Sequence, residues 1–260
     1  MEVIVLPSAS EVGRLAARKI AKLIRAKPAA VIGLATGSSP LAIYAELAAS
    51  VRDGSLDASQ VSGFALDEYV GIPEKHPESY AAVIRREVIE PLGLDPTHVH
   101  VPDGRASDLD AACQAYEAAI RDAGGVDLQI LGIGANGHIG FNEPTSSFGS
   151  RTRIKTLAPR TREDNARFFD SPDEVPMHCL TQGLGTIMEA RELLLVAQGS
   201  RKAAAVAAAI EGPVSSMCPA SILQFHPLAT VIIDDAAAAR LTLTDYYRYT
   251  YANKPSWQRF

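Results

Sequence analysis

Residues 30–40 read Ala30-Val31-Ile32-Gly33-Leu34-Ala35-Thr36-Gly37-Ser38-Ser39-Pro40. The uncharged run from Ala30 to Ala35 has the pattern of a buried strand. Gly37 then lets the backbone turn sharply, Ser39 is placed to cap, and Pro40 suits the first turn of a helix. A strand handing over to a helix through a short polar turn is the repeating unit of a parallel α/β sheet. Its free amides and hydroxyls suit a phosphate held against the helix dipole, although an ordinary capped turn reads the same way.

The same alternation continues on both sides. Val3–Leu6 reads as a strand, and Ser8 and Glu11 form a capping box before Val12, Leu15, Ala16, Ile20, Leu23 and Ile24 at helical spacing. Gly63–Leu66 is a strand ending at Asp67, and Val126–Leu131, Glu192–Ala197 and Thr230–Ile233 are later ones. Between them, Leu109, Ala112, Cys113, Tyr116, Ala119 and Ile120 share one helix face, and Arg201–Ile210 is an alanine-rich helix. Such a pattern predicts a mostly parallel sheet with helices on both faces, in one domain over 1–260. Ligands of such sheets sit beyond the carboxyl ends of the strands, where three polar segments fall: Thr36–Ser39, Asp67–Tyr69 and Asn136–Glu143.

Composition narrows the classes. The chain has 260 residues, 47% of them apolar, and a formal net charge of −5, which disfavours nucleic acid and anionic membrane as partners. The start, Met1-Glu2-Val3-Ile4-Val5-Leu6, has no basic leader, and no apolar run approaches a membrane span. The three cysteines, Cys113, Cys179 and Cys218, are dispersed, so neither a disulfide framework nor a zinc site is expected, and the cytoplasm fits. His98 and His100 share a side of a short strand but lack a third ligand.

Three segments carry candidate chemistry. The turn at Gly37, Ser38 and Ser39 is the first. In Asp67-Glu68-Tyr69, two carboxylates follow an apolar run; one that is partly buried becomes a usable base, whereas a helix cap beside a solvated acid is the plainer reading. In Gly132-Ile133-Gly134-Ala135-Asn136-Gly137-His138-Ile139-Gly140-Phe141-Asn142-Glu143-Pro144, the glycines bring backbone close to a ligand. His138 is a side chain that ordinarily titrates near neutrality, and Glu143 is placed to orient it. The likeness to a dinucleotide fingerprint fails, because Gly132, Gly134 and Gly137 lead into a loop rather than a helix. Further on, Arg151, Arg153 and Lys155 alternate with Thr152, Ile154 and Thr156, so three cations share one strand face as a solvated edge or an anion site.

Ala35-Thr36-Gly37-Ser38-Ser39-Pro40, Leu66-Asp67-Glu68-Tyr69-Val70-Gly71, His76-Pro77-Glu78-Ser79-Tyr80 and Gly137-His138-Ile139-Gly140-Phe141-Asn142-Glu143-Pro144 together resemble the glucosamine-6-phosphate deaminases. Similarity continues through Ser150–Leu157, Asn165–Phe169 and Gly199–Ala203 and thins after Asp235. The resemblance implies a modified Rossmann-like α/β fold and a reaction without cofactor or metal, turning glucosamine 6-phosphate into fructose 6-phosphate and ammonia. It implies Asp67 as the base between carbons 2 and 1, His138 as the proton mover in ring opening, and Glu143 as its orienting partner. Asn136 stands where some members carry an aspartate and others an asparagine. Gly37, Ser38, Ser39, Arg167 and Lys202 would hold the sugar's phosphate. In allosteric members the positions of Ser146, Arg153 and Lys155 bind the phosphate of an activator, N-acetylglucosamine 6-phosphate, at a subunit boundary, which also implies a homo-oligomer. The rivals are a galactosamine-6-phosphate deaminase, a 6-phosphogluconolactonase and a non-catalytic sugar-phosphate sensor. Asp67, Glu68 and the Phe141–Pro144 segment argue against the lactonase.

Overall fold

The computed structural model describes residues 1–73, 75–258 and 260. The chain begins with β1 (Glu2–Leu6) and α1 (Ala9–Ala26), then β2 (Val31–Leu34) and α2 (Ser38–Arg52). β3 (Ser62–Ala65) and β4 (Asp67–Tyr69) follow, then α3 (Tyr80–Ile84), a π-helical turn (Arg85–Ile89) and α4 (Glu90–Leu92). Next are β5 (Val99–His100), α5 (Leu109–Asp122), β6 (Leu128–Leu131), β7 (Arg153–Thr156), α6 (Pro159–Asn165) and β8 (His178–Thr181). The chain closes with α7 (Leu184–Met188), β9 (Glu192–Ala197), α8 (Ala203–Ile210), β10 (Ala229–Asp234) and α9 (Thr244–Ala252).

The expected parallel sheet is present. Seven strands lie in the order β1-β10-β9-β6-β2-β3-β5, every pairing parallel. Each residue of β2, β6 and β10 is buried, so helices and loops cover both faces. Ser8 caps α1 as expected, its hydroxyl accepting from the Glu11 amide at 3.3 Å, while the Glu11 carboxylate accepts from that hydroxyl at 3.0 Å rather than completing the box at the backbone. Val12, Leu15, Ile20 and Ile24 of α1 are then buried at helical spacing, and Cys113 of α5 is a core residue at 4% exposure.

The order of strands positions the site. From β2 the chain steps to β3 and β5 on one side, then returns to β6 on the other side of β2. β2 and β6 therefore flank the switch point where a crevice opens beyond the strand ends. The loops leaving them are Ala35–Gly37 and the Gly132–Glu143 turn.

Several expectations need correcting. The strand after Ser62 ends at Ala65, and Asp67 starts β4 in a separate antiparallel sheet ordered β4-β8-β7. These strands are three and four residues long, too short for their alternation to be read. α2 begins at Ser38 with Gly37 as its cap at φ +93°, and no side chain caps it, so Ser39 does not play that part. The alanine-rich helix begins at Ala203, after a 3-10 turn over Ser200–Lys202. His98 closes a 3-10 turn, outside β5. Arg151 precedes β7 and its charge is already taken: Glu117 and Glu189 both pair with it, leaving Arg153 and Lys155 half-buried on that edge strand.

Candidate active site

A cleft of about 250 Å³ lies at the switch point. It is lined by the Gly37–Ser39 turn, Asp67, His138, Arg167 and Lys202 together. Gly37 adopts a left-handed backbone with open space where a side chain would stand, so the turn exposes its amides. The first turn of α2 leaves N–H groups without helical partners, and the dipole adds positive potential there.

Two cations face the same space. Lys202 ends the 3-10 turn after β9, and Arg167 lies in a 3-10 turn over Ala166–Phe168, its guanidinium 4.6 Å above the Phe168 ring. Burial pushes the Lys202 ammonium below its usual value; Asp164 opposes this, and Arg167 and Arg201 add to it. A partly desolvated lysine and an exposed arginine lining one cleft with a helix N-terminus are a receptor for an anion.

The neighbouring carboxylates Asp67 and Glu68 divide their work. Glu68 accepts backbone N–H groups from Tyr69, Tyr80 and Ala81 at 2.8–2.9 Å, holding the start of α3. It is a cap, as the plainer reading held, but neither acid is solvated: Asp67 is 5% and Glu68 6% exposed. Burial first, and the Glu68 charge second, hold the Asp67 carboxyl well above its ordinary value, with no donor acting against them. A carboxylate that is desolvated, unpaired and open to a cleft is suited to accept a proton.

His138 is seated by glycine and aimed by an acid. A side chain on Gly134 would meet three atoms of the imidazole at 2.2–2.5 Å, so the ring rests on bare backbone. Gly137 and Gly140 take positive φ on either side of the histidine. Glu143 Oε2 lies 3.6 Å from His138 Nδ1, just beyond hydrogen-bond length, and accepts from Asn136 Nδ2 at 2.6 Å. Asn136 Oδ1 in turn accepts from the His138 backbone N–H at 3.2 Å. The other oxygen, Oε1, accepts from Thr161 Oγ1 and from the Ala158 N–H. Burial raises the Glu143 carboxyl, but His138, Thr161 and Asn136 outweigh it and bring it down to about 2. Glu143 is thus a fixed anion behind the histidine, and neither it nor Asn136 lines the cleft.

Ser146, Arg153 and Lys155 are likewise absent from the cleft lining. Ser146 is enclosed at 3% exposure with its hydroxyl unpartnered, while Arg153 and Lys155 lie on β7. Some residues that build the site escape a reading of the sequence. Thr161, Thr181 and Gln182 reach it from distant segments, and isolated threonines and glutamines carry no local signature. Among the described residues no group of three His, Cys, Asp or Glu side chains is arranged to hold a metal ion, and no helix is long and apolar enough to cross a membrane.

A family model described as glucosamine-6-phosphate isomerases/6-phosphogluconolactonase matches residues 7–232. The chain is 62% identical over 258 residues to a glucosamine-6-phosphate deaminase of Pseudarthrobacter chlorophenolicus, covering 99% of each chain. To the Streptomyces coelicolor protein of the same name it is 59% identical over 259 residues, again covering 99% of each. A solved structure described as a monomeric glucosamine-6-phosphate deaminase superposes with a TM-score of 0.90 at 41% identity, over 92% of this chain and 100% of that one. A 6-phosphogluconolactonase of Trypanosoma brucei reaches a TM-score of 0.73 at 19% identity over 93% and 98%, a likeness of fold alone.

Proposed function

Because the chain belongs to the family of glucosamine-6-phosphate isomerases and 6-phosphogluconolactonases, we propose that Asp67, His138 and Glu143 carry its chemistry and that the Gly37–Ser39 turn, Arg167 and Lys202 hold the substrate's phosphate. The reaction is the isomerising deamination of glucosamine 6-phosphate, with water, to fructose 6-phosphate and ammonia. One observation carries the assignment of residues: a single cleft is lined both by an anion receptor and by a desolvated carboxylate with a seated histidine.

In this reading His138 moves a proton at the ring oxygen and opens the sugar. Asp67 takes the proton from carbon 2 of the open chain, the electron pair shifts between carbons 1 and 2, and the carbon 1 oxygen takes a proton from the substrate's ammonium group, giving an enolamine. The same carboxylic acid returns a proton to carbon 1, which leaves an imine at carbon 2. Water adds there and ammonia leaves, giving the ketose. Glu143, ionised throughout, keeps the imidazole aimed, and Asn136 bridges Glu143 and the His138 backbone. No step calls for a metal or cofactor.

The test is ammonia release from glucosamine 6-phosphate, galactosamine 6-phosphate and unphosphorylated glucosamine, with and without a chelator. Turnover of the gluco epimer, indifferent to chelator, is expected. Asp67→Asn should cost about a hundred- to ten-thousandfold, the usual worth of a positioned base. Arg167→Ala and Lys202→Ala should raise KM for the phosphorylated sugar while leaving glucosamine unaffected. Near-wild-type turnover by Asp67→Asn would remove it as the base.

The reading extends to the whole chain working as one unit in the cytoplasm, to self-association, and to activation by N-acetylglucosamine 6-phosphate at Ser146, Arg153 and Lys155. Half-buried Arg153, whose guanidinium burial pushes below its usual value, supports an anion there. A monomeric mass by light scattering, or rate curves unmoved by the acetylated sugar phosphate, would end those two extensions.

A further inference from the structure

We propose that Gln182 is a positioning residue for proton transfer, clamping the strand of Asp67 and the loop of His138 at a fixed separation. This rests on Asp67 being the base.

Among the described residues no donor sets the direction of the Asp67 carboxylate. Where its oxygens point is decided by the backbone of residues 65–68. That backbone is at its least regular there, because the chain leaves the large sheet at Ala65 and enters the small one at Asp67. Gln182, 1% exposed at the end of β8, spans the break. Its side-chain Nε2 donates to the Ala65 carbonyl at 3.0 Å and its backbone N–H to the Leu66 carbonyl at 2.7 Å.

The same residue holds the histidine loop. Its carbonyl accepts from Asn142 Nδ2 at 2.8 Å, and that amide also donates to the Ile139 carbonyl at 3.0 Å, next to His138. Its neighbour Thr181 pairs with Asp67 across the small sheet and accepts the Phe141 N–H at 3.0 Å. A side chain on Gly140 would lie 3.0 Å from Thr181 Oγ1 and 3.6 Å from Asp67 Oδ2, so base, clamp and loop meet at one glycine. Asn142, Thr181 and Gln182 are all essentially inaccessible, so bulk solvent does not compete for these bonds. Misplacement of about an ångström costs on the order of a hundredfold in rate, and a buried residue whose side-chain amide ties Ala65 while its backbone ties Leu66 and Asn142 is a means of preventing it.

The test uses the full chain with Gln182→Met, which keeps the volume and loses the amide, and Thr181→Val beside it. Circular dichroism and Tm check folding. We expect kcat to fall about ten- to a hundredfold with KM for glucosamine 6-phosphate changed less than about twofold. Product made in deuterium oxide should carry more solvent deuterium at carbon 1, because a displaced carboxylate returns its own proton less faithfully. If Gln182→Met fails to fold, Thr181→Val decides. Folded variants with wild-type kcat, or a loss with unchanged deuterium content, would overturn the proposal. Asp67→Asn is run alongside: if it is inactive while these variants are normal, only the clamp falls; if it is active, the base assignment falls first.

Discussion

Glu143→Gln is the perturbation whose size follows most directly from the structure. The carboxylate accepts from Asn136, Thr161 and Ala158, faces the His138 ring and is 6% exposed, so solvent screens it little. Its pKa is brought from 4.5 to about 2. At roughly 1.4 kcal/mol per unit, its ionised form gains on the order of 3 kcal/mol from folding. The sign is that of a depressed acid. The stabilisation is fully present above the unfolded value of 4.5 and is lost as pH falls through about 2. Glutamine keeps one acceptor oxygen but turns an N–H₂ toward a donor and carries no charge. Urea unfolding of both proteins from pH 7 to pH 3 measures the difference. It should be on the order of 3 kcal/mol near neutrality and shrink steadily below about pH 4.5, to somewhat under half of that at pH 3, on top of the pH-independent cost of the unmatched donor. A difference that stays constant across this range would refute the reasoning, because it would mean that the charge of Glu143 is not what the surrounding donors stabilise.

Other outcomes follow from the same geometry. Burial and the Glu68 charge raise Asp67 well above 3.8. Only the ionised form accepts a proton, so the acid limb of kcat/KM should lie above the ordinary carboxylate range and move to lower pH in Glu68→Gln. A limb at the ordinary position in both proteins would exclude Asp67 as the limiting group. Gly134→Ala places a methyl 2.2–2.5 Å from three imidazole atoms. It should displace the ring and lower kcat, with a stability cost of about 1–3 kcal/mol; wild-type turnover would show that the ring does not depend on that seat.

How much of this was legible beforehand depends on distance along the chain. The turn at Gly37 and the loop from Gly132 to Glu143 are read easily because each encloses its chemistry within a dozen residues. The histidine, its acid and the glycines that seat it declare one another. The pairing of Asp67 with Glu68 is read only halfway: their adjacency is visible, but the division of labour depends on Tyr80 and Ala81, twelve and thirteen positions on. The small sheet is not legible at all, since β4 and β8 are too short to show a period and their partners are remote. Arg151 misleads for a related reason. Its alternation with Arg153 and Lys155 is real in the sequence, but Glu117 and Glu189 take its charge from 34 and 38 residues away.

The clasp between Ala65 and Gln182 also bears on the order in which the molecule takes shape. The two residues are 117 positions apart, whereas the contacts within α1, or between Ser8 and Glu11, close over a few. Closing so long a loop costs chain entropy before any packing returns it, so contacts of this kind belong to the slow end of assembly. The large sheet can pair β2 with β3 and pack α1 against α2 early, while Asp67 meets the His138 loop only after β8 has arrived. Recovery of catalysis after dilution from urea should therefore trail recovery of helix signal, making enzymatic turnover a reporter of the last stage of folding.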